Sequence, residues 1–192
     1  MLTINQPQKS PGIALLQLGF RPFFLGATAF SIVAIILWMG IFTFGWQLPL
    51  LNIPPTLWHA HEMLFGYALA VIAGFLLTAV KNWTGYQTIQ GIKLLSLFMI
   101  WLTARLLSIL NIGTIEILAI LDNLFIILLI LAVARPIIKA KQWAQAGILA
   151  KLLLMLIANL VFYGGLMGFI ENGASIGIYS CLYLILALVF VM

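Results

Sequence analysis

The chain has 192 residues, of which 65% are hydrophobic and only 7% charged, with a net charge of +5; no water-soluble domain of this size can hide so much apolar surface. The basic residues lie between apolar runs rather than in one patch, which argues against nucleic acid as a partner and suits orientation in a lipid bilayer. The runs are continuous for about 20 residues without two-residue alternation, so a porin-like barrel is excluded and a helical membrane protein is expected.

Residues 1–12 are polar with Pro7 and Pro11 and read as a disordered tail. The first 20 residues lack the short apolar core and small-residue cleavage site of a signal peptide, so the first span is expected to serve as the targeting signal. Residues 13–20 read as a short interfacial helix leading into Arg21-Pro22, with Pro22 in the first turn of span one, where its missing N–H costs nothing. Span one is expected over 23–46, followed by a stiff loop with Pro49, Pro54 and Pro55. Span two is expected over 58–80, with Gly66, Ala70 and Gly74 on one face, where they let a neighbouring helix or a flat cofactor approach. Gly85 breaks the polar turn that follows.

Span three is expected over 91–110 and span four over 115–134, stopped by Arg135-Pro136. A basic loop over 137–147 precedes span five at 148–170, and span six runs from 175 to 192, still apolar at Met192. At 1.5 Å per residue, span six covers about 27 Å of a core roughly 30 Å thick. With no polar closing residue there, the chain is expected to be part of something longer. Cys181, the single cysteine, reads as a small packing residue. The whole is an all-α polytopic bundle of about six spans, one transmembrane domain over 13–192. Alternating spans put Lys9, Arg21, Lys81, Lys93, Arg135, Lys139, Lys141 and Lys151 on one side, which makes that side and the N-terminus cytoplasmic. Glu62, Glu116, Asp122 and Glu171 fall towards the other.

Chemistry concentrates in Trp58-His59-Ala60-His61-Glu62-Met63, which holds both histidines of the chain. Metal-capable and charged side chains in a membrane span are functional suspects. Two residues apart, His59 and His61 point about 200° apart on a helix and cannot grip one metal from the same face. Either His59 turns inward from a loop or cap, or each histidine serves a different partner. Glu62 shares a face with His59 and either orients its imidazole or caps the helix. Met63 offers a thioether to haem iron or copper, or simply packs. Arg105 and Asp122 lie at depths of roughly 8 and 10 Å on neighbouring spans, close enough to pair. Arg105 then either fixes two helices or balances the negative charge of a cofactor such as a haem propionate. Glycine-rich phosphate loops, CxxC pairs and His-Glu-x-x-His are absent.

These residues also carry a family likeness. The motifs are Gly19-Phe20-Arg21-Pro22-Phe23-Phe24, then Trp58-His59-Ala60-His61-Glu62-Met63-Leu64-Phe65-Gly66, then 74–80 and Asn82-Trp83-Thr84-Gly85. Weaker pieces follow at Arg105-Leu106, 122–125, 134–136 and 158–162. Over roughly 15–165 the chain resembles the NnrS family of bacterial membrane proteins, associated with the nitric oxide response and containing haem and copper. The resemblance implies haem and copper as cofactors, with the histidines matching His59 and His61 as ligand candidates. It implies a bacterial inner membrane, a site facing the periplasm, and nitric oxide or iron–nitrosyl species as ligands. Full-length members resemble a protein of about twelve spans, so this chain resembles the N-terminal half. Further ligands are then expected from that missing half or from a second copy in a homo-oligomer. Two positions depart from the family pattern: Lys81 stands where proline is usual, and Tyr163 where a histidine commonly follows Asn-Leu-x-Phe. Two other classes stay open, a transporter or channel with the histidines on its path, and a structural half without a site of its own.

Overall fold

Long apolar stretches have one way to satisfy their backbone in lipid without closing a barrel, which is to wind into helices. The computed structural model describes residues 14–190, and every regular element among them is helical. The expected tail over 1–12 and the last two residues of the sixth span lie outside the described residues. The main helices are α1 (Phe20–Phe44), α2 (Pro55–Thr84), α3 (Ile92–Leu110), α4 (Ile115–Lys139), α5 (Ala146–Leu166) and α6 (Gly173–Val189). Single 3₁₀ turns sit at Ala14–Leu16, Leu50–Asn52 and Trp143–Gln145. Five helices are long and apolar enough to cross a membrane, and α6 is a shorter apolar helix of 17 residues.

Helix ends follow local chemistry. Gly45 takes a positive φ of 67° after α1, and the Trp46 N–H reaches back to the Gly40 carbonyl at 3.0 Å. The fifth helix stops at Leu166, short of the expected Ile170, because Gly168 turns left-handed at φ 79° and Phe169 N–H bonds the Gly164 carbonyl at 2.8 Å. The fourth helix, expected to stop at Arg135-Pro136, runs on to Lys139. Pro136 forgoes only one backbone bond, the next turn closes through Ala140 N–H to the Pro136 carbonyl at 2.9 Å, and Pro136 and Ile137 stay buried. The second helix is not uniform: an α stretch over Pro55–His61 widens into a π segment over Glu62–Ala68 and returns to α at Leu69. There the Leu69 N–H bonds the carbonyl of Leu64, five residues back.

Helices α2 and α4 are the most deeply buried of the bundle. Cross-links fix which ends share a side. On the basic face, Thr78 Oγ1 accepts the first N–H of α1 from Phe20 at 3.2 Å. There too Gly91 N–H reaches the Leu16 carbonyl, and Gln142 Nε2 donates to the Trp83 carbonyl at 3.0 Å. On the opposite face, Asn111 Oδ1 accepts the Leu51 N–H at 2.6 Å and holds a turn in which Leu50, Leu51 and Asn52 all have positive φ. Left-handed residues cost roughly 1–2 kcal/mol each, so the entry to α2 is held against strain.

On α2, Gly74 serves helix packing. A Cβ at Gly74 would meet the Phe24 ring at 2.9 Å and Phe23 Cβ at 3.1 Å. The closest backbone approach joins α5 and α6, where a Cβ at Gly165 would lie 2.1 Å from the Ala174 nitrogen. Neither backbone can yield there, and overpacking typically costs about 1–3 kcal/mol. Gly165→Ala is therefore expected to lower the melting temperature of the detergent-solubilised protein by several degrees. Gly147→Ala, which would meet only Lys151 Nζ at 3.8 Å, should leave it unchanged or slightly raised; equal melts for the two variants would contradict this packing.

Candidate functional site

A cationic side chain held inside an apolar bundle must find its counter-charge there. Arg105, on α3, is fully buried and finds two. Its Nη1 donates to Glu62 Oε2 of α2 at 2.7 Å, and its Nη2 donates to Asp122 Oδ1 of α4. The pairing expected from depth is present, and Glu62 joins it. Glu62 is therefore neither a helix cap nor a partner of His59: it is buried and aimed at the guanidinium. Its position in the wide turn has a companion in Gly66, where a Cβ would stand 2.6 Å from Arg105 Nη1 and 3.0 Å from Glu62 Oε2. The glycine makes room for a charge pair, and its carbonyl accepts Trp101 Nε1–H at 2.9 Å.

Neutral donors fill further sites on the two carboxylates, while Arg105 Nε stays buried without a hydrogen-bond partner. Ser108 Oγ donates to Glu62 Oε1 at 3.0 Å and accepts Trp58 Nε1–H at 2.8 Å. The Tyr163 hydroxyl donates to Asp122 Oδ2 at 2.5 Å. A second chain of bonds runs from a backbone carbonyl outward. Asn123 Nδ2 donates to the Ala119 carbonyl at 2.8 Å, so its Oδ1 faces Asn159 Nδ2 at 3.3 Å. Asn159 Oδ1 is thereby left to accept from His61 Nε2 at 3.1 Å. The amide directions are fixed by the carbonyl at the end of the chain, which makes Nε2 the protonated nitrogen of His61.

His61 is held on every side. Its Nδ1 lies 3.7 Å from Glu62 Oε1 and its Nε2 3.7 Å from Asp122 Oδ2. The ring is sandwiched between Phe65 and Phe162, with centroids at 5.0 and 4.4 Å, and Tyr163 meets its edge. His59 points elsewhere, as the two-residue spacing requires. It stacks on Trp38 of α1 at 4.3 Å and 14°, and Trp38 stacks in turn on Phe42. Its Nδ1 is buried without a hydrogen-bond partner. Met63, one turn on from His59, is partly buried against the core. Between the cluster and the basic face lies an aromatic layer, with Phe23 against Phe98 and Phe125, and Phe30 against Trp101.

Two results of comparison with known proteins bear on this site. Residues 14–192 match the family described as NnrS protein. The chain belongs to the NnrS family. No curated protein and no solved structure gives a significant match. In this NnrS chain the motif from Trp58 to Gly66 spans the α stretch and wide turn of α2 that carry Trp58, His61, Glu62 and Gly66 into one cluster. Of the sequence-predicted site residues, His61, Glu62 and Arg105 meet, while His59 and Met63 lie on another side of α2. Among the described residues, no three His, Cys, Asp or Glu side chains form a group that could hold a metal ion. Sequence reasoning missed Ser108, Asn123 and Asn159. Ser108 stands three residues after Arg105, and Asn123 directly follows Asp122 in a motif already singled out. Spacing from a buried charge is the signal that finds the first.

Removing Arg105 alone would leave two carboxyls facing each other in the interior. Arg105→Gln is expected to destabilise the fold by about 3–5 kcal/mol, read by chemical unfolding in detergent. Adding Glu62→Gln and Asp122→Asn should recover most of that loss. A triple variant no more stable than the single one would show that the cluster's charge balance does not govern stability.

Proposed function

We propose that this NnrS chain is a haem- and copper-associated protein of the bacterial inner membrane, acting in the nitric oxide response, with His59 as its cofactor-facing ligand. The observation that carries the ligand assignment is the pair of contrasting histidines. His61 is buried, donates from Nε2 to Asn159 Oδ1, and has Phe65 and Phe162 stacked on its ring. His59 is partly exposed and its buried Nδ1 has no hydrogen-bond partner among the described residues, so its imidazole is the one that would hold a haem.

A haem held there would supply an iron able to bind nitric oxide. The chain's own residues do the positioning. Trp38 fixes the plane of the His59 ring by stacking, so rotation of the imidazole is restricted before any ligand arrives. The Arg105–Glu62–Asp122 ties lock α2 against α3 and α4, and the wide turn beside His59 is held in place by them. Tyr163, at the position where a histidine commonly stands in the family pattern, donates to Asp122 and closes the cluster. For copper, His59 and Met63 are donors of suitable softness one turn apart. Remaining donors would come from further sequence or a second copy of the chain.

The side opposite the basic face, where His59 lies, is the periplasmic one by the distribution of Lys and Arg. A transport path is less well supported, because the polar side chains at mid-depth bond one another and the aromatic layer stands below them. The test is an anaerobic optical spectrum with metal analysis of gently purified protein. A haem band is expected, lost in His59→Ala and retained in His61→Gln. The reverse pattern would move the ligand to His61, and no haem or copper in intact protein would overturn the reading.

A further inference from the structure

Outside the cluster, the basic face opens between α3, α4 and the loop that precedes α3. A cavity of about 610 Å³ opens there, lined by Tyr86, Lys93, Arg135 and Lys139 among others. A second cavity of about 240 Å³ continues from it down the helix pair, lined by Ile89, Leu97, Leu128, Leu131 and Ala132. Lys93 and Arg135 line both. The first cavity is thus a cationic rim and the second an apolar groove leading into the hydrocarbon depth of the bundle.

The charges at the rim are uncompensated. All four acidic residues of the chain, Glu62, Glu116, Asp122 and Glu171, lie away from this cavity's lining. Among the described residues, Lys93 and Arg135 have neither an ion pair nor a hydrogen bond from their side chains, and both are exposed. Lys139 lies over the Tyr86 ring at 4.5 Å, which anchors its ammonium at the same rim. Like charges gathered from two helices repel unless an anion sits among them.

We propose that this paired cavity binds one anionic phospholipid, its phosphate between Lys93, Arg135 and Lys139 and one acyl chain in the groove between α3 and α4. A basic pocket between membrane helices matches a lipid headgroup in charge and in depth. A free phosphate or soluble anion would use the rim and leave the apolar groove empty. The lipid satisfies both halves, with its polar group at the interface and its chain parallel to the helices.

The experiment is native mass spectrometry of the whole chain, released from a neutral detergent after addition of equal phosphatidylglycerol and phosphatidylcholine. One retained phosphatidylglycerol is expected, in preference to phosphatidylcholine. Each surface cation near an anionic headgroup contributes roughly a five-fold gain in binding, so Lys93→Gln with Arg135→Gln should weaken retention about 25-fold. Leu131→Trp, which keeps every charge but fills the groove, should weaken it as well. Lys81→Gln, an exposed charge on the same face but outside the cavity, should not. Equal loss in Lys81→Gln would reduce the effect to general surface charge and overturn the site. Displacement of the lipid by excess inorganic phosphate, or an unchanged Leu131→Trp, would make it a free-anion site and overturn the proposal equally. Monodisperse elution of each variant confirms that these exposed or groove-lining changes leave the fold intact.

Discussion

Arg105 cannot reach water from its place in α3, and its guanidinium is charged under all ordinary conditions. Taking such a group out of water costs several kcal/mol even after relaxation, so the helices around it must bring oxygen atoms to it. Glu62 comes from α2 and Asp122 from α4, and each needs its own remaining lone pairs filled. Ser108 and Tyr163 supply those bonds. The requirement thus propagates outward from one side chain until α2, α3, α4 and α5 are joined at a common depth. Apolar packing between membrane helices has little directional preference, since lipid tails are as apolar as the side chains. The charge cluster supplies the register that packing alone does not.

Some of this was written in the sequence in a readable way. Hydropathy located the spans because each must be apolar over the bilayer thickness, and the fold class followed. Depth counting paired Arg105 with Asp122 because both residues sit a fixed number of 1.5 Å steps from a helix end. The same arithmetic separated His59 from His61. What could not be read was the winding of α2. Its π segment breaks the 100° step beyond Glu62, while the three-residue spacing from His59 to Glu62 gave no sign that Arg105 of another helix would claim the carboxylate. Pro136 misled for a related reason: a proline signals the loss of one bond, while the burial of its neighbours decides whether the helix continues. Asn123 and Asn159 were invisible as a pair because their contact joins different helices through a fixed sequence of amide directions.

The two histidines illustrate how one motif can divide its labour. His61 faces inward and is consumed by structure, with a hydrogen bond and two aromatic faces around it. His59 faces α1, where Trp38 holds its ring and leaves a nitrogen without a partner. At the opposite end of the bundle, α3 and α4 part around a cationic rim above an apolar groove. The molecule therefore offers its chemistry at two separate depths: one near the face without basic residues, the other at the basic face. The bonded cluster and the aromatic layer lie between them and keep them apart.

The wide turn of α2 has one more consequence. A π segment holds an extra residue within the length of an α-helix, flanked by ordinary winding on both sides. Loss of a residue elsewhere in α2 would swing one half of the helix by about 100° against the other and tear Trp58 and His61 from their partners. Loss of Met63, Leu64 or Tyr67 can instead be absorbed by tightening the turn, with both flanks left in their seats. The segment is a slack loop in an otherwise taut rod. It is a stretch of this helix that can lose a residue without turning what lies on either side.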